Sequence, residues 1–317
     1  MFMRKYAELF QKTPRSIRVA TSFILLVMAS TQPNQANAQS ITPSHVFQVI
    51  ENINAELAAM HEANSSQPSV DQNAPTLTPR APRHVVQKAR EVLLKVELLR
   101  TLNGLPEHPV PPFPVAEITP GHVKVLVDQA LADLLDLRAK FNVTKPVSAV
   151  PLVMGKTPTD NYADLQKASE SLDGLGIPKI VPNDVYRLAL VMVDDLEKIR
   201  AARGKTDVIE APTGATGKKP LDTYNQAFAV LEQLKSKIEA DPSIKLAGGI
   251  VLPNRRTGAI IPAHVADLEN NLLAELGSLK FAFGVTSPSL LPPEPQGKNP
   301  SDTYDILTKA LALATSL

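Results

Sequence analysis

A short phrase recurs eight times along the chain: a proline, any residue, a histidine or aspartate, and then usually a β-branched residue. The copies are PSHVF at Pro43, PRHVV at Pro82, PGHVK at Pro120, PTDNY at Pro158, PNDVY at Pro182, PLDTY at Pro220, PAHVA at Pro262 and PSDTY at Pro300. Successive prolines lie 39, 38, 38, 24, 38, 42 and 38 residues apart. A near-constant period of this length marks one supersecondary unit used repeatedly, each copy burying its apolar face against its neighbours.

Each copy opens an amphipathic helix. Three, seven, ten, fourteen and seventeen residues after the first proline stand Val46, Ile50, Ile53, Leu57 and Met60. The same register gives Val85, Ala89, Val92, Val96 and Leu99 in the second copy, and Val185, Ala189, Met192, Leu196 and Ile199 in the fifth. Alternating steps of four and three place such residues on one stripe of a helix. The seventh copy breaks the stripe once, at Glu269. Where Asn161, Thr223 and Thr303 take the first stripe position, the following Tyr162, Tyr224 and Tyr304 are expected to supply the apolar contact.

The phrase is helix-start chemistry. Proline suits the first helical position because its missing N–H would have had no partner there. Thr42, Thr119, Thr157 and Asn299 precede it as N-caps. Asp160, Asp184, Asp222 and Asp302 fall in the first turn, beside free N–H groups and the positive dipole end. His45, His84, His122 and His264 hold the same position.

Pro43 to Pro182 spans 139 residues, Pro82 to Pro220 138, and both Pro120 to Pro262 and Pro158 to Pro300 span 142. The chain therefore reads as all-α, with eight amphipathic helices in two duplicated four-helix units covering 39–176 and 177–317. Four such helices suffice to close a bundle. The segments joining them are rich in proline and glycine and long for bundle connections. An extended 16-residue segment reaches about 50 Å, enough to retrace a 21-residue helix of about 32 Å. The short connection around DGLGIPKIV favours an antiparallel passage between the halves. The stretch from Glu62 to Ala81 has the composition of a mobile loop.

The first 38 residues have the three parts of an export signal: a basic start, the apolar run VATSFILLVMAS, and Ala36-Asn37-Ala38 as a cleavage site. Twelve apolar residues are too few to span a bilayer, which needs about 20. The expected product is a soluble periplasmic or secreted protein with no membrane span after cleavage. Setting aside the five basic residues and one acidic residue of that leader leaves 28 Lys+Arg against 31 Asp+Glu. No basic footprint for nucleic acid remains. Cysteine is absent, which excludes disulfides, a thiol nucleophile and thiolate-ligated metals.

The stretch PTGATGKKP resembles a phosphate loop but fails its pattern: Pro212 stands where the first glycine belongs and Lys219 where the metal-binding hydroxyl belongs. Gly-Lys-x-Pro also recurs at Gly155 and Gly297, so it marks the passage from linker to helix. No G-x-S-x-G elbow is present. Asp194 and Asp195 are neighbours, of which one can face the core; they read as a solvated face. His61 and His108 lie outside the repeated position.

No catalytic constellation emerges and no cofactor is called for. The expected role is a non-enzymatic protein–protein interaction or sensory-accessory module whose partner is another protein of the cell envelope. Tyr162, Tyr186, Tyr224 and Tyr304, the tyrosines that follow the leader, are the candidate recognition surface. Two other readings stay open. One is a small-ligand or metal-binding protein using His45, His84, His122 and His264; the other is an enzyme whose site is assembled in space.

Overall fold

Each of the eight proline phrases begins a helix in the computed structural model, which describes residues 40–317. The helices are α1 (Pro43–Asn64), α2 (Pro82–Leu102), α3 (Pro120–Leu137), α4 (Pro158–Asp173), α5 (Pro182–Ala202), α6 (Pro220–Ala240), α7 (Pro262–Ala282) and α8 (Pro300–Thr315). No strand occurs among the described residues. The leader-like residues 1–38 lie outside them. No helix among the described residues is long and apolar enough to cross a membrane.

The stripes are the core. Val46, Ile50, Ile53, Leu57 and Met60 are fully buried, as are Ala189, Met192, Leu196 and Ile199. Burying a side chain of this size contributes roughly 1.5–3 kcal/mol. One apolar cluster is built from α1–α4 together with Phe113, Ile177 and Ala274; the other is built from α5–α8. The polar first-stripe residues Asn161, Thr223 and Thr303 are themselves buried. Tyr162 and Tyr224 bury their rings beside them, whereas Tyr304 stays half-buried.

Within each bundle the four helices run parallel. The start of α4 meets the start of α1, where Asn161 Nδ2 donates to Pro43 O at 3.1 Å. It also meets the start of α2, where Arg80 N donates to Thr159 Oγ1 at 2.9 Å. Toward the other end His61 of α1 meets Ser171 of α4, and Lys95 in the second half of α2 meets Asp173, the last residue of α4. In the second bundle Pro182, Pro220, Pro262 and Pro300 converge around one shallow depression. Around each ring the packed pairs are α1 with α3 and α4, α2 with α3 and α4, α5 with α7 and α8, and α6 with α7 and α8.

Parallel order requires every linker inside a bundle to travel back along a helix, and these linkers do so in extended form. Residues 138–157 descend α1: Lys145 pairs with Glu62 at 2.9 Å, Val150 O accepts from Gln48, Val150 N donates to Asn52, and Lys156 N donates to Ser44 Oγ. Residues 283–299 descend α5 in the same way, through Ser289 to Asp195, Pro292 O to Arg187 and Lys298 N to Asn183. Of the stretch from Glu62 to Ala81 expected to be a mobile loop, residues 62–64 finish α1 and 65–81 are laid along α4. Ser69 N donates to Glu170 O, and Asp71 pairs with Arg256. Several of its backbone groups have partners, among them Ser69 N, Arg80 N and Thr76 O, which composition alone did not reveal.

Aligned helix dipoles repel, so four parallel helices carry an electrostatic cost at each end. Opposing the two bundles offsets it. Along α2 the contacts advance from Arg83 to Lys88 while their partners on α7 retreat from Glu275 to Asp267. The two bundles therefore run antiparallel across the α2–α7 joint, in keeping with the antiparallel midpoint passage. Gly277 of α7 lets the linker of the first bundle in: a Cβ there would stand 2.4 Å from the Phe113 ring.

Candidate functional site

The histidines and aspartates of the repeat all do one job. Residue N3 of each helix accepts a hydrogen bond from the N–H of the residue preceding the proline. Asp184, Asp222 and Asp302 accept at 2.8–2.9 Å and Asp160 at 2.7 Å. His45, His84 and His122 accept through Nδ1 at 3.1–3.2 Å, and His264 at 3.4 Å. This is the returning half of a capping box. A neutral imidazole protonated at Nε2 and a carboxylate offer the same acceptor, which is why the two residue types interchange. In Asp160 the Thr157 hydroxyl and backbone N–H hold the carboxyl below its ordinary value.

The tyrosines are spread over both bundles. Tyr162 lies under the cations of Arg80 and Lys88, with Arg80 Cζ 4.6 Å from the ring centre. Tyr224 is buried with its hydroxyl accepting from Arg256 N. Tyr186 and Tyr304 are half-buried beneath Lys298 and Lys218.

A second register, not read from the sequence, holds the charges. Thirteen residues after the proline, every odd-numbered helix carries an acid: Glu56, Asp133, Asp195 and Glu275. All four are buried. Eighteen residues after it, α1, α2, α3, α5 and α7 carry a base: His61, Arg100, Arg138, Arg200 and Lys280. Three of these bases, Arg100, Arg138 and Lys280, meet the acid of a neighbouring helix. Arg138 of α3 holds Glu56 of α1 at 2.7 Å, and Lys280 of α7 holds Asp195 of α5 at 2.6 Å. Asp195 is fully buried, so it belongs to the core and not to a solvated face; Asp194 takes the outer position with Lys198. Burial raises the Asp195 carboxyl and the bonds from Lys280 and Ser289 work against that rise.

Glu275 is the exception that builds the joint. Its counterpart of Arg100 on α6 is Ile238, so the second bundle offers it no cation from that helix. The first bundle supplies one: Arg83 Nε donates to Glu275 Oε2 at 2.7 Å and His84 Nε2 to Oε1 at 2.9 Å. His84 Nδ1 is taken by Ala81 N–H, so the ring is neutral and both nitrogens are used. Burial lowers the His84 imidazole, in the same sense. Burial alone would raise Glu275, yet His84 and Arg83 outweigh it and hold the carboxyl below its ordinary value.

An open recess lies between the C-terminal halves of α1 and α4 and the linker at 65–70. It has a volume of about 920 Å³, within the range of ligand clefts. His61, 5% exposed, forms its floor. The Ser171 carbonyl can only accept, so His61 Nε2 carries the proton and Nδ1 accepts from Ser66 Oγ at 2.7 Å. Gly174 lets the linker cross α4 here, since a Cβ would meet Gln67 O at 2.2 Å. Glu51, Glu62 and Glu170 line the recess against one cation, Lys167, which pairs with Asp164. Burial raises the Glu170 carboxyl.

A third polar cluster sits where α2 and α3 end. His108, on the linker 103–119, places Nδ1 2.7 Å from Asp133 Oδ1, and its backbone N–H donates to Glu97 Oε2 at 2.6 Å. Burial first, and then Asp133, raise the Glu97 carboxyl. Glu97, His108 and Asp133 are the one group of three possible metal ligands whose atoms lie within 4.8 Å of one another among the described residues. The four repeat histidines are not part of it. The two histidines that fall outside the repeat, His61 and His108, thus occupy the two polar sites. Their departure from the repeated position was the available signal. Comparisons with protein families, with curated proteins and with solved structures give no match.

Proposed function

We propose that this chain is an exported, non-enzymatic binding module that takes a basic segment of an envelope protein into the α1–α4 recess. The observation that carries the reading is the charge of that recess: of its three glutamates Glu62 is paired with Lys145, while Glu51 and Glu170 face one lysine that is already paired with Asp164. Charge complementarity of this kind selects partners and speeds encounter. The recess rests on two packed helices and a linker pinned by the Ser69 and His61 hydrogen bonds, so it is formed before a partner arrives. The leader-like composition of residues 1–38 supports export.

A photo-crosslinking residue at Ala58, which lines the recess, tests this in intact envelopes. One dominant adduct is expected, reduced at least tenfold by Glu170→Lys. The same adduct pattern from a crosslinker at Val208, an exposed residue outside the recess, would overturn the reading.

A further inference from the structure

The four buried acids thirteen residues into the odd helices allow a direct charge comparison. Glu56 has Arg138, Asp195 has Lys280, and Glu275 has Arg83. Each is one carboxylate against one full cation. Asp133 is different. Arg100 is its cation, at 3.6 Å, but Arg100 also faces Glu97 at 3.5 Å and Asp136 at 2.8 Å. Three carboxylates share one guanidinium, leaving two negative charges over if all three are ionised.

Asp136 is exposed to solvent, whereas the other two carboxylates are buried. Glu97 is 4% exposed and Asp133 3%, and Glu97 Oε1 and Asp133 Oδ2 have no hydrogen-bond partner. Buried carboxylate oxygens without partners carry a cost of several kcal/mol unless protonated or bound by a cation. His108 adds an imidazole from a half-exposed linker position, opening the cluster to solvent. No equivalent stands in the second bundle, where Lys235 and Glu275 replace Glu97 and Asp133.

We propose that Glu97, Asp133 and His108 form a binding site for one divalent transition-metal ion, of which zinc best suits a set of two carboxylates and an imidazole. This goes beyond the proposed partner recess, which lies on the α1–α4 side of the first bundle. The ion would bring the local charge of Glu97, Asp133, Asp136 and Arg100 to zero. Ligation through His108 Nδ1 shifts the single proton of the neutral ring from Nδ1, where it faces Asp133, to Nε2. Arg100, now 3.3 Å from Nε2, then gives up that contact and keeps Asp136. Carboxylate and imidazole donors with one or more open positions are the ordinary set for such an ion.

The test is calorimetric titration of the purified chain with zinc chloride, beside His108→Ala and His122→Ala. One ion per chain is expected for the wild type and for His122→Ala, with at least tenfold weaker binding for His108→Ala. Zinc K-edge absorption should show a first shell of oxygens and one imidazole. No stoichiometric binding would overturn the proposal, and so would binding that His108→Ala leaves unchanged. His108 sits on a linker and is half-exposed, so this variant folds; the circular dichroism spectrum and melting temperature without zinc check that it does.

Discussion

Arg83 of α2 and Glu275 of α7 join the two bundles through a fully desolvated ion pair, 2.7 Å long, with side chains 5% and 0% exposed. The pair stands where the repeat would have placed an arginine on α6. Removing one partner of such a pair strands the other charge, at a cost of about 3–5 kcal/mol. Arg83→Ala is therefore expected to lower stability by that amount in urea denaturation. Arg83→Met with Glu275→Leu should recover most of the loss. Equal losses in single and double variants would show that the charges are not what holds the joint.

Glu269 interrupts the stripe of α7 and is fully buried, with both carboxylate oxygens unpartnered. The corresponding stripe residues on α5 and α6 are Ala189 and Ala227, which leave it room. Burial pushes its carboxyl well above the ordinary value. The folded state then keeps a proton that the unfolded chain releases. The Glu269 contribution to stability is fully present below about pH 4.3, the unfolded value, and is lost as pH rises through the window up to the raised folded value. The slope is about 1.4 kcal/mol per pH unit for one proton. Glu269→Gln should be more stable at neutral pH and lack this slope, as seen by chemical denaturation at a series of pH values.

Asp222 and His122 serve the same capping bond on different helices. Replacing either by alanine should cost about 1 kcal/mol. His122→Asp should cost nothing measurable at neutral pH, because the acceptor survives the exchange. Thermal melts of the three variants decide it. A large loss in His122→Asp would mean the imidazole does something besides cap.

Gly277→Ala places a methyl group against the buried Phe113 ring. Overpacking of this kind costs about 1–3 kcal/mol. Phe113→Leu in the same chain should relieve part of it, giving a coupling energy in a double-mutant cycle.

The helix starts, their number and the core stripe were legible because each rests on local chemistry repeated eight times. Pro43 and Thr42 announce α1 without reference to any other helix. The charges were less legible. Asp195 and Lys280 are 85 residues apart, and nothing local distinguishes Asp195, which is buried, from Asp194, which is not. Only alignment of the copies on their prolines shows that Asp195, Glu275, Asp133 and Glu56 share one register. Helix direction was open for another reason. A long linker permits return to either end, and the choice is made by contacts such as Val150 with Gln48 and Asn52.

The return of every linker within a bundle to the starting end also governs how the chain finds its structure. In an up-and-down bundle, consecutive helices zip together as hairpins. Here α1 and α2 do not touch, and α1 must wait for α3 and for α4, whose Asn161 bonds Pro43 across 118 residues. Contacts this distant require costly loop closure before they give any return. This all-helical protein should therefore refold on the slower timescale of a β-sandwich, remaining open until the fourth proline phrase of each bundle has arrived.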